Sequence, residues 1–260
     1  MSFELSGAGV VITGAGNGIG AALARRFAAE GARLVLSDLD GDAVKAVADE
    51  VGAVAVTANA ASEDGITQLI AAARETLGEI DLFCANAGTA PNGGPDTPED
   101  VWARAWDVNV MSHVRASKLL LPEWLERGKG HFLATVSAAG LLTSLGSAPY
   151  AVTKHGALAY AEWLSATYRH RGITVQALCP QGVRTNMLEN SGPGGKLLMD
   201  ASAITPEQLA DDVVKSLGGE HFLILPHPEV AEYYVNRATN PDRWLGGMNK
   251  LQRKVEQAFE

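Results

Sequence analysis

The stretch Gly9-Val-Val-Ile-Thr-Gly-Ala-Gly-Asn-Gly-Ile-Gly20 joins a short apolar run to a glycine-rich turn, and a segment of helical periodicity follows it. Glycine in such a turn lets the backbone approach a phosphate group closely, and the N-terminus of the next helix attracts the phosphate charge. The next apolar run ends at Asp38, within Val35-Leu-Ser-Asp-Leu-Asp40. Because strand, turn, helix and acidic residue occur in this order, we predict a binding site for a dinucleotide.

The alternation of apolar runs and helical segments continues along the whole chain. Runs with the length of strands cover 9–13, 33–37, 54–57, 81–84, 130–136, 173–179 and 221–225. Periodic segments between them indicate helices at about 18–30, 40–51, 63–77, 99–127, 150–171 and 206–217. Apolar strands joined by crossover helices predict an α/β fold: a doubly wound, Rossmann-like parallel sheet of seven strands with helices on both faces.

No charge run, repeat or low-complexity tract interrupts this series, so residues 1–260 are interpreted as one domain. The stretch 186–202 differs in composition from the rest of the chain, because it places Ser191-Gly-Pro-Gly-Gly195 among apolar residues. We predict a mobile lid or loop there, over the substrate. Helical periodicity over 228–237 and 241–259 predicts a helical tail, 228–260, that covers the core or serves an oligomer contact.

The composition argues against several kinds of partner. The 260 residues are 47% hydrophobic and 20% charged, with a formal net charge of −9 and no cluster of Lys and Arg. We therefore expect neither nucleic acid nor an anionic membrane as a partner. The first twelve residues lack the pattern of a signal peptide, and no window approaches the roughly 20 apolar residues of a membrane span. Cys84 and Cys179 each end an apolar run, which predicts buried thiols in a reducing cytoplasm, and no metal-ligand spacing is present.

Asp38 also bears on the choice of dinucleotide. A carboxylate at the tip of the second strand accepts hydrogen bonds from a free ribose diol and repels a 2′-phosphate. Neither Asn17 nor Leu39 supplies the positive charge that a 2′-phosphate requires, so NAD is favoured over NADP. The alternative interpretation is that Asp38 or Asp40 caps the following helix.

A hydroxyl, a phenol and an amine occur between Ser137 and Lys154. Pro149 before Tyr150 indicates a helix start, and a spacing of four residues places Tyr150 and Lys154 on one helix face. A phenol with a pKa of about 10 is a poor base at neutral pH, but a neighbouring cation lowers that pKa. The pair therefore predicts a general acid and base, although the same spacing occurs by chance on many amphipathic helices.

With the glycine turn, Ser137, Tyr150 and Lys154, the chain resembles the short-chain dehydrogenase/reductase family, in its compact subtype, over roughly residues 7–185. The resemblance implies that Asn109 holds a relay water, Ser137 binds the substrate oxygen and Tyr150 is the acid and base. It implies that Lys154 binds the nicotinamide ribose and lowers the tyrosine pKa. The implied cofactor contacts are Gly14, Asn17, Gly18, Ile19, Gly20, Asp38, Leu39, Asn59, Ala60, Asn86, Ala87, Gly88, Tyr150, Lys154, Pro180, Gly182, Val183 and Thr185.

Three places depart from the family pattern. Ala85 stands where an asparagine often precedes Asn86-Ala-Gly88, and Asn59 stands where an aspartate usually contacts the adenine. The run Leu225-Pro-His-Pro-Glu229 and a long tail replace the family's usual closing segment. The resemblance therefore does not extend to the modes of assembly that depend on that segment.

We predict reversible hydride transfer between NAD(H) and a secondary alcohol or ketone, as in a short-chain alcohol dehydrogenase or ketone reductase. The expected substrate contacts lean apolar and favour an uncharged, fairly hydrophobic molecule, although the same residues suit an ordinary core equally well. These contacts are Ser137, Ala139, Leu141, Tyr150, Gln181, Met187 and Leu188.

Two other classes of protein remain as alternatives. A sugar-nucleotide epimerase or dehydratase also uses a tyrosine–lysine pair with bound NAD, but it normally has a longer C-terminal region. A dinucleotide sensor without chemistry has no need for the tyrosine. The apolar faces of the segments 99–127 and 150–171 predict a homodimer or homotetramer, unless one subunit buries them by itself.

Overall fold

One parallel sheet of seven strands lies at the centre of the computed structural model, which describes residues 3–217 and 219–258. The strands are β1 (Gly9–Thr13), β2 (Arg33–Asp38), β3 (Val54–Thr57), β4 (Leu82–Ala85), β5 (Gly130–Thr135), β6 (Ile173–Leu178) and β7 (Leu223–Ile224). Their order in the sheet is β3-β2-β1-β4-β5-β6-β7, which confirms the doubly wound topology. The order reverses between β1 and β4, and sheets of this type bind their ligands at the carboxyl ends of the strands next to such a reversal.

Helices cover both faces of the sheet. They are α1 (Gly18–Ala29), α2 (Gly41–Val51), α3 (Glu63–Leu77), α4 (Glu99–Trp106), α5 (Ser112–Arg127), α6 (Ala138–Leu141), α7 (Ala148–Tyr168), α8 (Asn186–Glu189), α9 (Gly192–Met199), α10 (Pro206–Leu217), α11 (Glu229–Thr239) and α12 (Pro241–Gln257). Within the described ranges, none of these helices is both long and apolar enough to cross a membrane.

The core has two layers because side chains alternate across a strand. In β1, Val11 packs into the cluster beneath α3, α5 and α7, whereas Val10 and Ile12 pack into the cluster beneath α1, α2 and α10. All three side chains are fully buried. Apolar residues at successive positions therefore give a strand that is covered on both faces, as expected for a parallel sheet.

The segment 99–127, predicted as one helix, is interrupted by a π-helical turn at Asp107–Met111, between α4 and α5. Such a turn accommodates one extra residue and frequently marks a functional site. Asn109 lies inside it and is completely buried. The apolar periodicity of α4 continues into α5, so the sequence pattern alone does not reveal the π turn between them.

The stretch 186–202, predicted as a mobile lid or loop, is mostly helical, and its role as a lid stays a prediction. It consists of α8, α9 and a 3₁₀ turn over Asp200–Ser202. The glycines and the proline of this stretch suggested a loop. A proline is tolerated in the first turn of a helix, however, and α9 has one there. The tail forms α11 and α12, while the predicted end of the tail, including Phe259, lies outside the described residues.

Candidate active site

The glycine turn between β1 and α1 is shaped by close backbone contacts. Gly14 has φ +64°, and a Cβ added there would lie 2.9 Å from the Cα of Ala87. A Cβ on Gly20 would lie 2.1 Å from the carbonyl oxygen of Gly14. The side chain of Asn17, the N-cap residue of α1, makes no capping hydrogen bond, so the first N–H groups of the helix remain available. The free N–H groups at the start of α1, together with a glycine turn that has no side chains in the way, fit a pyrophosphate.

Asp38 stands beside this turn at the end of β2. Its carboxylate accepts hydrogen bonds from the backbone N–H of Gly16 at 2.9 Å and of Asp40 at 3.1 Å. The N-cap of α2 is Asp40, whose side chain accepts from the N–H of Ala43 at 3.0 Å. The capping interpretation therefore belongs to Asp40, and Asp38 is held at the rim of the turn. Leu39 beside it is 72% exposed.

Three strand ends are joined beneath the turn by a network of polar side chains. The amide of Asn86 donates to the carbonyl oxygens of Thr13 at 3.0 Å and Gly14 at 3.2 Å. The hydroxyl of Thr13 accepts from the N–H groups of Asn86 and Ala87, both at 3.0 Å. The Thr135 hydroxyl donates to the Asn86 side chain at 3.1 Å. Neither threonine was predicted from the sequence, although polar residues at the carboxyl ends of parallel strands are a signal for such a site.

Asn109 uses its whole side chain to hold the backbone after β4. Its Oδ1 accepts from the N–H of Thr89, and its Nδ2 donates to the carbonyl of Thr89 and to the hydroxyl of Thr153, each at 2.9 Å. The Thr153 hydroxyl donates in turn to the carbonyl of Tyr150 at 3.1 Å. The Asn109 side chain thus ties the π turn to α7, and the predicted relay water stays a prediction.

Ser137 occupies a strained position between β5 and α6. Its backbone has φ +156° and ψ 159°, a region that costs a residue other than glycine on the order of 1–3 kcal/mol and is found at functional sites. Its Oγ accepts from the N–H of Ala139 at 3.1 Å and donates to the carbonyl of Pro180 at 3.4 Å. The hydroxyl also lies near enough to the phenol of Tyr150 to lower its pKa.

Lys154 is buried, at 3% exposure, on the same helix as Tyr150. Its Nζ lies 5.7 Å from the centre of the Tyr150 ring and donates to the carbonyl of Thr135 at 2.9 Å. A Cβ on Gly88 would lie 3.5 Å from this ammonium and 3.4 Å from Oδ1 of Asn109. The structure therefore brings Ser137, Tyr150, Lys154 and Asn109 together beside the segment after β4.

The electrostatics of this group differ from the sequence prediction. Burial raises the pKa of Tyr150, and the Ser137 hydroxyl opposes this by lowering it. The pKa of this phenol is raised and not lowered because loss of solvation is the largest contribution to it, and an effect of Lys154 on this pKa stays a prediction. Burial also lowers the pKa of Lys154 to about 8. At neutral pH the site thus holds a protonated phenol beside a charged ammonium.

The turn after β6 lies next to the site. A Cβ on Gly18 would lie 3.0 Å from Cγ2 of Thr185, so this turn touches the glycine turn. Thr185 donates from its hydroxyl to the carbonyl of Val183 at 3.2 Å. Val183 is buried and pairs as a β-bridge with Ile204, which anchors the far end of α8 and α9.

The remaining predicted cofactor contacts make fewer hydrogen bonds with the residues described above. Ile19 is half-buried and packs against the core beneath α1. Asn59 and Ala60 follow β3, and Oδ1 of Asn59 accepts from the N–H of Ala61 at 3.0 Å. This amide therefore bonds within its own loop, and its contact with an adenine stays a prediction.

The predicted substrate contacts divide into buried and accessible residues. Leu141 is 1% exposed and belongs to the core, so the alternative interpretation as core suits its side chain. Ala139 and Leu188 are also buried, whereas Met187 is 44% exposed and Gln181 is half-buried. Arg237 of α11 donates to the carbonyl of Leu141, which brings the C-terminal extension to the edge of the site.

A contact between two loops beside the site was not predicted from the sequence. Gly93 pairs with the stretch 146–148, since its N–H donates to Gly146 and its carbonyl accepts from Ala148, both at 2.9 Å. The hydroxyl of Ser147 donates to the carbonyl of Pro91 at 2.6 Å. The segment after β4 is thus fastened just before the helix that carries Tyr150. Pairing between two loops leaves no periodic signal in a sequence.

Comparison with known proteins agrees with this geometry. The family model described as short chain dehydrogenase matches residues 8–195. A 1-deoxy-11-beta-hydroxypentalenate dehydrogenase from Streptomyces exfoliatus is 36% identical over 232 residues, covering 84% of this chain and 82% of the relative.

Two solved structures extend the similarity to three dimensions. A short chain dehydrogenase/reductase from Burkholderia phymatum in complex with NAD has a TM-score of 0.85 at 26% identity, covering 92% of this chain and 96% of that one. A 7α-hydroxysteroid dehydrogenase complexed with NADH and 7-oxo glycochenodeoxycholic acid has a TM-score of 0.76 at 27% identity, covering 83% and 89%. The chain therefore belongs to the short chain dehydrogenase family and is an oxidoreductase that transfers hydride between a nicotinamide dinucleotide and an alcohol or ketone.

Proposed function

We propose that this enzyme prefers NAD(H) and interconverts an uncharged, fairly hydrophobic secondary alcohol and its ketone. The observation that carries the reaction chemistry is the Tyr150 phenol beside the Lys154 ammonium, with the Ser137 hydroxyl near enough to lower the pKa of the phenol. When bound, the dinucleotide supplies or accepts the hydride. The residues that would hold it include Gly14, Gly18, Gly20, Asp38, Asn86, Lys154 and Thr185.

Tyr150 moves the proton at the substrate oxygen. Its raised pKa keeps the phenol protonated at neutral pH, so it is ready to donate a proton to a carbonyl oxygen during reduction. In the reverse direction the phenolate form takes the hydroxyl proton, and a higher pH favours that form. Ser137 orients the reacting oxygen and stabilises the charge that develops on it.

Lys154 and Asn109 act behind the tyrosine. The charged Lys154 faces the developing phenolate and is held in place by the Thr135 carbonyl. Asn109 fixes the path of the backbone at Thr89 and, through Thr153, the first turn of α7. We propose that Asn109 also takes part in a water relay, since a π turn such as the one that holds it frequently marks a functional site.

The apolar character of Ala139, Met187 and Leu188 supports a hydrophobic substrate. The names of the relatives, a hydroxypentalenate dehydrogenase and a hydroxysteroid dehydrogenase, support a hydroxyl group as the reacting function. Incubation of the enzyme and NADH with a panel of ketones tests this proposal through NADH absorbance. Consumption of NADH with hydrophobic ketones supports it, tightly bound NAD without net redox would favour an epimerase, and binding alone would favour a sensor.

Asp38 sets the predicted preference for NAD. We expect a lower KM for NADH than for NADPH, because the carboxylate at the rim repels a 2′-phosphate. Asp38→Asn keeps an oxygen that accepts from Gly16 but removes the charge, so the preference should fall by about tenfold or more. Asp40→Asn is the matched control and should leave the ratio of KM values nearly unchanged. A lower KM for NADPH in the unmodified enzyme would contradict the assignment.

We also propose a homodimer or homotetramer formed through α4, α5 and α7. Trp106 and Trp163 on these helices are 42% and 53% exposed, which leaves apolar surface that a second subunit would cover. Trp163→Glu should shift the mass measured by light scattering toward the monomer, because a charge is costly in an apolar contact. Leu245→Glu, at an exposed position of α12, is the control. A monomeric unmodified protein at micromolar concentration would contradict this proposal.

The two cysteines support a reducing compartment. Cys84 and Cys179 are free and fully buried, each at the carboxyl side of a central strand. Burial raises the pKa of the Cys179 thiol to about 12, so it behaves as a small apolar side chain. We therefore propose the cytoplasm as its location.

A further inference from the structure

His227 follows β7 in the segment that departs from the family pattern. Its ring is 3% exposed, and both of its nitrogens have partners. The N–H of Gln181 donates to Nδ1 at 3.2 Å, and Nε2 lies 3.2 Å from the carbonyl oxygen of Ser202. A backbone N–H only donates and a carbonyl only accepts, so Nδ1 acts as the acceptor and Nε2 as the donor.

The first of these contacts acts on the peptide group between Pro180 and Gln181. The carbonyl of Pro180 accepts from the N–H of Ala138 at 2.8 Å and from the hydroxyl of Ser137 at 3.4 Å. A trans peptide is planar, and its N–H and C=O point in opposite directions. The hydrogen bond from Gln181 to His227 therefore keeps the Pro180 carbonyl pointing at Ser137.

The second contact holds the other end of the segment that contains α8 and α9. Ser202 is the last residue of that segment. Just beyond it, the N–H of Ile204 donates to the carbonyl of Gly182 at 3.1 Å, and the N–H of Arg184 donates to the carbonyl of Ile204 at 2.9 Å. His227 thus links the turn that precedes the segment, at Gln181, to the last residue of the segment, Ser202.

We propose that His227 is a positioning residue for the reaction, acting on Ser137 through one ring nitrogen and on the α8–α9 segment through the other. The inference rests on the proposed function, because it assigns Ser137 to the substrate oxygen and this segment to the substrate. A buried imidazole is costly unless its nitrogens are paired, and an apolar side chain of similar size would fill the same space. The two hydrogen bonds are therefore what histidine provides at this position and an apolar side chain would not.

Two conservative variants separate the two contacts. The amide oxygen of His227→Asn can take the place of Nδ1 and accept from Gln181, but its side chain is too short to reach Ser202. The amide nitrogen of His227→Gln can take the place of Nε2 and donate to Ser202, but no acceptor then faces Gln181. We expect kcat to fall about tenfold in His227→Gln with little change in KM for the ketone. In His227→Asn we expect KM for the ketone to rise about tenfold with kcat nearly unchanged.

Amide hydrogen exchange on the protein without substrate gives a readout that does not depend on turnover. His227→Gln should speed exchange at Gln181, and His227→Asn should speed exchange around Ala203 and Ile204. Peptides from β5 should be unaffected in both variants. His170→Gln, at an exposed histidine, is the matched control for kinetics and exchange.

The possible results are distinguishable. Failure of the unmodified enzyme to reduce any ketone would refute the proposed function, while the exchange data would still test the contacts of His227. Unchanged exchange, or unchanged kinetics in an active enzyme, would overturn the inference. Faster exchange throughout β5 in both variants, with equal losses of kcat, would also overturn it, because His227 would then only hold the fold.

Discussion

Tyr150→Phe is expected to lose roughly a hundred- to ten-thousand-fold in kcat, the usual contribution of a positioned acid or base. The substitution removes the phenol oxygen, which is the group that exchanges a proton with the substrate, and keeps the ring in its place on α7. Affinity for NADH, measured by fluorescence titration, should stay close to that of the unmodified enzyme. Steady-state oxidation and reduction rates measure the loss.

The same helix provides a control. Tyr160→Phe removes another hydroxyl from α7, one that pairs with the Ser117 hydroxyl at 2.6 Å and lies ten residues further along the chain. This variant should keep most of its turnover, because the pair of hydroxyls lies between two helices and not in the site. A Tyr150→Phe enzyme that retained most of its activity would remove the basis of the catalytic assignment.

Lys154→Met is expected to inactivate the enzyme and to stabilise the fold. Turnover should fall about a hundredfold or more, because the charge that faces the phenolate is lost. Burial lowers the pKa of Lys154 to about 8 from the 10.5 of the free side chain, which corresponds to about 3 kcal/mol of destabilisation while the amine is charged. Loss of the hydrogen bond to Thr135 offsets part of the gain, so the free energy of unfolding should rise by about 2 kcal/mol at pH 7.

The pH dependence of this gain has a definite sign. The folded state releases the Lys154 proton near pH 8 and the unfolded state near 10.5, so the unfolded state binds more protons between these values. The penalty is therefore fully present below pH 8 and disappears as pH rises toward 10.5. Urea unfolding across this range should show the difference between Lys154→Met and the unmodified enzyme shrinking. Lys45→Met, at an exposed lysine, should show no such trend, and a constant difference for Lys154→Met would contradict the account.

Local patterns in the sequence predicted much of the site because those patterns reflect contacts within one element. The spacing of Tyr150 and Lys154 placed them on one helix face, and Pro149 marked its first turn, as α7 confirms. The glycine turn was recognised from residues that lie next to each other in the chain. Such signals need no knowledge of the tertiary structure.

Predictions that depend on long-range contacts were the ones that failed or were not made. The pKa of Tyr150 is raised by burial, and no spacing in the chain reports how far the folded structure excludes water from a side chain. The helical form of α8 and α9 was missed because glycine is common in both loops and helix ends.

The sequence by itself determined the order of strands and helices, the glycine turn and the tyrosine–lysine pair, because each arises from neighbours along the chain. The tertiary structure decided which distant residues meet. It alone showed that Asp40, not Asp38, caps α2, and that Asn109 bonds to the backbone of Thr89. It alone brought His227 against Gln181 and Ser202, since hydrogen bonds between distant backbone segments depend on how the segments pack and not on local sequence.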